Sequence, residues 1–233
     1  MRDWRSPEEL ADIGFSRSPV VMANEAHDGL RRCIRTREIG RRLLPVAHGH
    51  GCRHLAMEAL WEEIAEQANR DRRLPDSSGY LGQPEMRALV EDALALGWTL
   101  VAYETTDTRT PFLPDGSVDQ AIVNAREVDQ ARNLAARLPQ TPLLVWCGNG
   151  HLEKESGGDW TPMGMLFREL TGIDFFALDQ TWTVFGQREL GTELTADLEP
   201  FGGTAGMLRE ELPAAFATWS ADALLFSVEN ALV

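Results

Sequence analysis

Residues 142–152 read PLLVWCGNGHL: an apolar run, PLLVWC, broken by a bulk-free turn at Gly148, Asn149 and Gly150 and followed by the imidazole of His151. A short continuous apolar run bounded by turn residues is the pattern of a strand buried on both faces. Four further runs share it: PVVMA at 19–23, HLAM at 54–57, TLVAY at 99–103 and FFAL at 175–178. Between them, residues 28–44 and 121–138 carry apolar stripes at helical spacing. The segment 84–96 opens on Pro84 and stops at Gly97, and 162–171 opens on Pro162 and stops at Gly172. Proline suits a first helical turn and glycine a helix stop. Strand and helix alternate, so the chain is expected to form an α/β fold, a mainly parallel sheet with helices on both faces. Loops are expected at 71–82, 105–119 and 148–161. The runs WTVF at 182–185 and ALLFSV at 223–228, with a glycine-rich stretch at 202–206, read as extra C-terminal strands on the same sheet. Residues 1–233 are therefore read as a single domain.

The composition narrows the function classes. The 233 residues carry 22 basic and 36 acidic side chains, a net charge of −14. Phosphate backbones and anionic lipid surfaces repel such a chain, so no nucleic-acid or membrane partner is expected. The start, MRDWRSPEEL, lacks the apolar stretch of a signal peptide, and no apolar run has the length of a membrane span. A soluble, cytoplasmic protein is the expectation. Cys33, Cys52 and Cys147 are odd in number and form no C-x-x-C pair, which reads as reduced thiols rather than a disulfide framework or zinc knuckle.

In an open α/β sheet, ligands bind outside the carboxyl ends of the parallel strands. Those positions are polar here: Asn24, Glu25 and His27 after the first run, Glu58 after the second, Glu104 after the third, Gly148 to His151 after the fourth, and Asp179 and Gln180 after the fifth. Parallel strands would gather these carboxylates and histidines at one edge of the sheet, where like charge and burial shift protonation. These strand-end residues are accordingly read together as one active-site cleft, with Glu104, Asn149 and Asp179 as substrate-binding candidates. Trp146, Trp160, Trp182 and Tyr80 fall in or near the loops above this edge; Trp146 reads as core, and Tyr80 and Trp160 as a pocket wall and lid. Arg31 and Lys154 are candidate anchors for an anionic substrate group. The alternation His48, His50, Cys52, His54 would chelate a metal only on a strand, and Gly49 and Gly51 argue for a loop at the amino edge instead.

The stretches VVMANEAHDG at 20–29, HLAMEAL at 54–60, NAREVDQARNLA at 124–135, WCGNGHL at 146–152 and FALDQ at 176–180 resemble the superfamily of erythromycin esterases, haem-binding ChaN proteins, Tiki and TraB (pheromone shutdown) proteins. Members carry an early Gly-Glu-x-His or Gly-x-x-His motif and, in the Tiki and TraB branches, a second Gly-x-x-His. The second is intact from Gly148 to His151; in the first, Asn24 stands where the family has glycine. The resemblance implies that Glu25, His27, Glu58 and His151 belong to the active site, with Arg126 and Glu127 in the family's Arg-Glu position.

Two chemistries suit these residues. Glu25 or His27 would deprotonate a water while His151 or Arg126 stabilises the oxyanion, with no cofactor. Alternatively His27, His151, Glu25 and Glu58 would hold a divalent transition metal, Mn, Co or Zn, with an activated water. The metal-free route is preferred. The expected function is a hydrolase of the erythromycin-esterase-like or Tiki-like type, cleaving an ester or amide of a small molecule or peptide. No G-x-S-x-G elbow is present, and a Cys147 nucleophile is disfavoured because that residue ends a buried strand. The alternatives are a biosynthetic enzyme of the same fold performing ring closure, elimination or rearrangement, and a non-catalytic haem- or metal-binding protein resembling ChaN. Haem is disfavoured because only Tyr80 and Tyr103 offer a phenolate.

Overall fold

Successive side chains of a strand point to opposite faces, and that alternation assigns each helix to its layer. The computed structural model describes residues 3–25, 30–76, 79–181, 188–212 and 220–231. His27 and the run at 182–185, including Trp182, lie outside the described residues, as does the side chain of Arg31. In chain order the elements are α1 (Pro7–Arg17), β1 (Val20–Glu25), α2 (Leu30–Gly49), β2 (His54–Met57), α3 (Glu62–Asp71), α4 (Pro84–Ala95), β3 (Thr99–Ala102), α5 (Gln120–Ala136), β4 (Leu143–Gly148), α6 (Met163–Thr171), β5 (Phe176–Asp179), α7 (Arg188–Leu198), β6 (Thr204–Leu208), β7 (Ala223–Ser227) and α8 (Val228–Ala231).

The strands form one seven-stranded sheet ordered β3-β2-β4-β1-β5-β7-β6. Every pairing is parallel except β6 with β7, so the expected α/β architecture with strands added at the C-terminal side is observed. On one face Val21, Ala23, Leu55, Met57, Leu144 and Trp146 pack under α1, α2, α3 and α4. Their neighbours Val20, Met22, Ala56, Leu143, Val145 and Cys147 face α5, α6 and α7. β1 and β4 are buried at every position, the reason they read as unbroken apolar runs.

The differences from the sequence reading are local. α2 runs on to Gly49, through Pro45, so His48 lies on a helix rather than in a loop. Helices α1 and α3 lie in segments to which the pattern assigned no element. α1 is set by a capping box, in which Ser6 accepts from the Glu9 N–H and Glu9 accepts from the Ser6 N–H. Among the four alternating residues each has its own partner: the Trp98 indole donates to His48 Nδ1 at 3.0 Å, His50 meets Asp12 at 2.8 Å, the buried Cys52 thiol donates to the His54 carbonyl at 3.3 Å, and the His54 ring meets Thr141 at 3.0 Å.

Both sheet margins have a local partner. At β3 the Asn69 side-chain amide accepts from the Leu100 N–H at 2.7 Å and donates to the Leu100 carbonyl at 2.9 Å. At β6 the N–H and carbonyl of Arg5 pair with the carbonyl and N–H of Gly206. A Cβ on Gly206 would lie 2.2 Å from the Leu224 carbonyl oxygen and 2.6 Å from Leu10. Backbone cannot yield as a side chain does, so Gly206→Ala should destabilise the protein by about 1–3 kcal/mol, read as a lower midpoint in urea unfolding at unchanged slope.

Candidate active site

The register of three neighbouring strands sets the site. Glu25 ends β1 opposite Gly148 of β4, and Met57 of β2 lies opposite Trp146, with the Glu58 N–H continuing the ladder to the Trp146 carbonyl at 3.1 Å. Glu25, Glu58 and the Gly148 turn therefore share the carboxyl edge. Beyond Gly148 a 3-10 turn, Asn149–Leu152, carries His151 back over this edge. Asn149 takes a left-handed φ of 27°, and a Cβ on Gly150 would lie 2.6 Å from the Trp160 ring, so the tight turn admits no bulk at Gly150.

His151 stands between two carboxylates, one for each ring nitrogen. Nδ1 lies 2.9 Å from Glu127 Oε2, and Nε2 lies 3.4 Å from Glu58 Oε1. Glu127, on α5, also accepts from the Met163 N–H at 2.6 Å and the Trp160 indole at 3.2 Å. Glu58 Oε2 accepts from the Gly148 N–H at 2.6 Å. Exposure separates the two acids: the Glu127 side chain is 3% exposed, whereas Glu58 and His151 keep 13% and 22%. Burial opposes charge on the imidazole, but Glu58 and Glu127 together outweigh it and raise His151 well above the usual histidine range.

Beside this triad, Glu104 accepts from the Ala59 and Thr105 N–H groups at 3.1 and 2.8 Å and from the Gln130 amide at 2.9 Å. Arg126 reaches Glu104 at 3.5 Å while 34% exposed.

Several assignments made from sequence fare differently. Glu25 is fully buried and its carboxylate is held by the Arg37 guanidinium, Nε to Oε2 at 2.9 Å and Nη2 to Oε1 at 3.0 Å, with the Trp146 indole donating at 3.1 Å. That bidentate pairing makes it an anchor rather than an open base. Tyr80 lies under Arg37, its ring centroid 5.1 Å from the guanidinium carbon, so it packs on this pair instead of walling an apolar pocket. Burial and then the charges of Glu25 and Glu58 push its phenol well above the ordinary tyrosine range. Asp179 Oδ1 accepts from the Asn24 amide and from the Thr181 N–H and hydroxyl, a local network in place of an open substrate contact. Lys154 lies at the amino end of β5, bound to Asp174 at 3.1 Å and Asp222 at 2.6 Å, because the chain after the 3-10 turn runs back along the sheet. It is remote from the carboxyl edge. Trp160 is packed on Gly150 and bonded to Glu127, which makes it a wall rather than a loose lid. Cys147 faces the α5–α7 layer, alternating with Trp146, and burial, followed by the charges of Glu58 and Glu127, pushes its thiol well above the ordinary range. Among the described residues no three His, Cys, Asp and Glu side chains are arranged to hold a metal ion.

Sequence reasoning missed Arg37 and Gln83, whose side-chain oxygen accepts from Arg37 Nη1. Arg37 is one of a series of arginines on α2 with no local feature to distinguish it. Asn24, where the resembled family has glycine, has a structural account: its amide donates to the Asn149 carbonyl at 2.6 Å, and its oxygen accepts from the Gln180 N–H at 2.7 Å, tying β1 to the turn after β4 and to the end of β5.

The fold is ChaN-like. The structure of cofacial heme binding to ChaN of Campylobacter jejuni is 9% identical and aligns over 94% of this chain and 91% of that one, with a TM-score of 0.56. A bacterial protein toxin aligns over 76% of this chain at 15% identity and a TM-score of 0.53, and RRSP, a MARTX toxin effector domain from Vibrio vulnificus CMCP6, over 76% at 14% and 0.51. This chain spans 36% of the length of each of those two toxin chains. At such identities the likeness concerns the fold alone. No family model and no curated protein matches the sequence.

Removing the guanidinium would leave the buried Glu25 charge uncompensated. Arg37→Ala should therefore cost about 3–5 kcal/mol, checked by chemical denaturation. The His151 imidazole should titrate above 6.5 by NMR, and Glu58→Gln or Glu127→Gln should each bring it down. Because the folded value is raised, this site's contribution to stability is full below the unfolded histidine value near 6.5. It is lost as pH rises through the folded value.

Proposed function

We propose that the protein is a hydrolase that cleaves an ester or amide of a small molecule or peptide, with Glu58 and His151 as the acid–base pair. The observation that carries this reading is the placement of one carboxylate at each nitrogen of a partly exposed histidine. Glu127 fixes the ring and favours its charged form. Glu58 accepts a proton from a water as that water attacks the acyl carbon; His151 Nε2–H first gives a hydrogen bond to the developing oxyanion and then transfers its one proton to the leaving group as the acyl bond breaks. Proton transfer from Glu58 back to His151 restores both groups. Arg126, half free of Glu104, supplies further positive charge for the substrate.

A charged imidazole favours proton donation over metal ligation, which requires the neutral ring. This supports the metal-free route over one through His27, His151, Glu25 and Glu58. ChaN of Campylobacter jejuni binds heme in its structure, but the donors here suit a tyrosinate-held haem poorly. Tyr103 is buried and donates its hydroxyl to the Trp146 carbonyl at 2.9 Å, and burial raises both tyrosines well above their ordinary range.

Purified protein should hydrolyse members of a panel of p-nitrophenyl esters and peptide p-nitroanilides in the presence of excess EDTA. Glu58→Gln and His151→Ala should each lower kcat/KM by about 10²–10⁴-fold. The rate should fall in acid as Glu58 takes a proton and in alkali as His151 loses one. Undiminished turnover in both variants, or activity abolished by chelator and restored by manganese, cobalt or zinc, would overturn the mechanism.

A further inference from the structure

The carboxylate proposed as the base sits at a sharp change of backbone direction. Glu58 still follows the ladder of β2 and β4, but the next residue, Ala59, takes φ of 59°, the left-handed conformation that L-residues with a Cβ adopt only when something holds them there. What holds it is Glu104. One oxygen, Oε2, accepts from the Ala59 N–H at 3.1 Å, while Oε1 accepts from Thr105 N–H, the Gln130 amide and, at longer range, Arg126. Its side chain is only 6% exposed and its acceptors are engaged by four donors, so it is poorly placed to bind substrate, the role assigned to it from sequence.

The other support of the Glu58 side chain is the Gly148 N–H, on Oε2. That bond fixes one oxygen, and the ladder fixes the amide side of Glu58; its carbonyl side, and with it the rotation about N–Cα that swings Cα–Cβ, is held through the peptide to Ala59, whose N–H is on Glu104. If the Ala59 peptide relaxed to an ordinary right-handed or extended conformation, the chain leaving β2 would be redirected and Oε1 would leave His151. We infer that Glu104 is a positioning residue: by capturing the Ala59 N–H it locks the left-handed turn that aims Glu58 at His151. The inference rests on the acid–base reading only in saying what Glu58 is aimed for; the geometric claim is independent of any reaction.

The test is an NMR titration of the His151 imidazole in the full chain, assigned by comparison with His151→Gln. Ala59→Val, which disfavours the left-handed turn but leaves the Glu104 side chain and its other donors in place, should lower the His151 pKa by about one unit, as should Glu104→Ala. Adding Ala59→Gly to Glu104→Ala should recover part of that shift, since glycine adopts the turn freely. A role in substrate binding or in general stability predicts no such recovery. Where Glu104→Ala fails to fold, Ala59→Val decides alone. An unchanged His151 titration in folded Ala59→Val, or no recovery in the double variant, overturns the inference. Turnover measured on the same proteins separates this from the proposed reaction: a wild-type chain inert toward the whole ester and amide panel would overturn the hydrolase reading without moving the titration.

Discussion

The in-register parallel pairing of β2, β4 and β1 is the constraint on which the site depends. Parallel strands all point their carboxyl ends one way, so residues that follow each strand meet at one edge whatever their distance in sequence. The pairing of Glu25 with Gly148 and of Met57 with Trp146 sets the carboxylates and the 3-10 turn level with one another. A one-residue slip would exchange the two faces of a strand, placing Trp146 against α5 and α6 and removing its indole from Glu25. The apolar cores on both faces make that slip costly, and the chemistry at the edge inherits its geometry from them.

At that edge charge is divided between two environments. The Glu25–Arg37 pair is closed, sealed by Trp146 and Tyr80, and the expense of burying two charges is offset by a bidentate geometry with further hydrogen bonds. The Glu58–His151–Glu127 group is half open, with the more exposed acid on the side away from α5. One is closed to solvent and the other keeps contact with it, although Glu25 and Glu58 both stand at the carboxyl end of a strand.

This division was not legible in the sequence. The strands were, since four- to six-residue apolar runs buried on both faces leave a continuous signature, and β2 was bounded correctly at both ends. Gathering Glu58 and His151 at one edge followed from the parallel arrangement. The partner of Glu25 did not, because its arginine lies on a helix rich in arginine and only tertiary packing selects which one turns inward. Lys154 failed for a related reason: it follows His151 by three residues, yet the 3-10 turn reverses the chain and delivers the ammonium to the amino end of β5. The left-handed backbone at Ala59 had no glycine or asparagine to announce it.

The margins of the sheet have a meaning beyond stability. An outer strand with free N–H and carbonyl groups is a template on which another chain can extend the ladder, whether a peptide partner or an aggregating copy. Here the Asn69 amide answers Leu100 at one margin, and the backbone of Arg5 answers Gly206 at the other. A peptide seeking to add itself as a strand would have to displace one of these groups at the position it occupies. The two margins are thereby poorer templates for strand addition at Leu100 and Gly206.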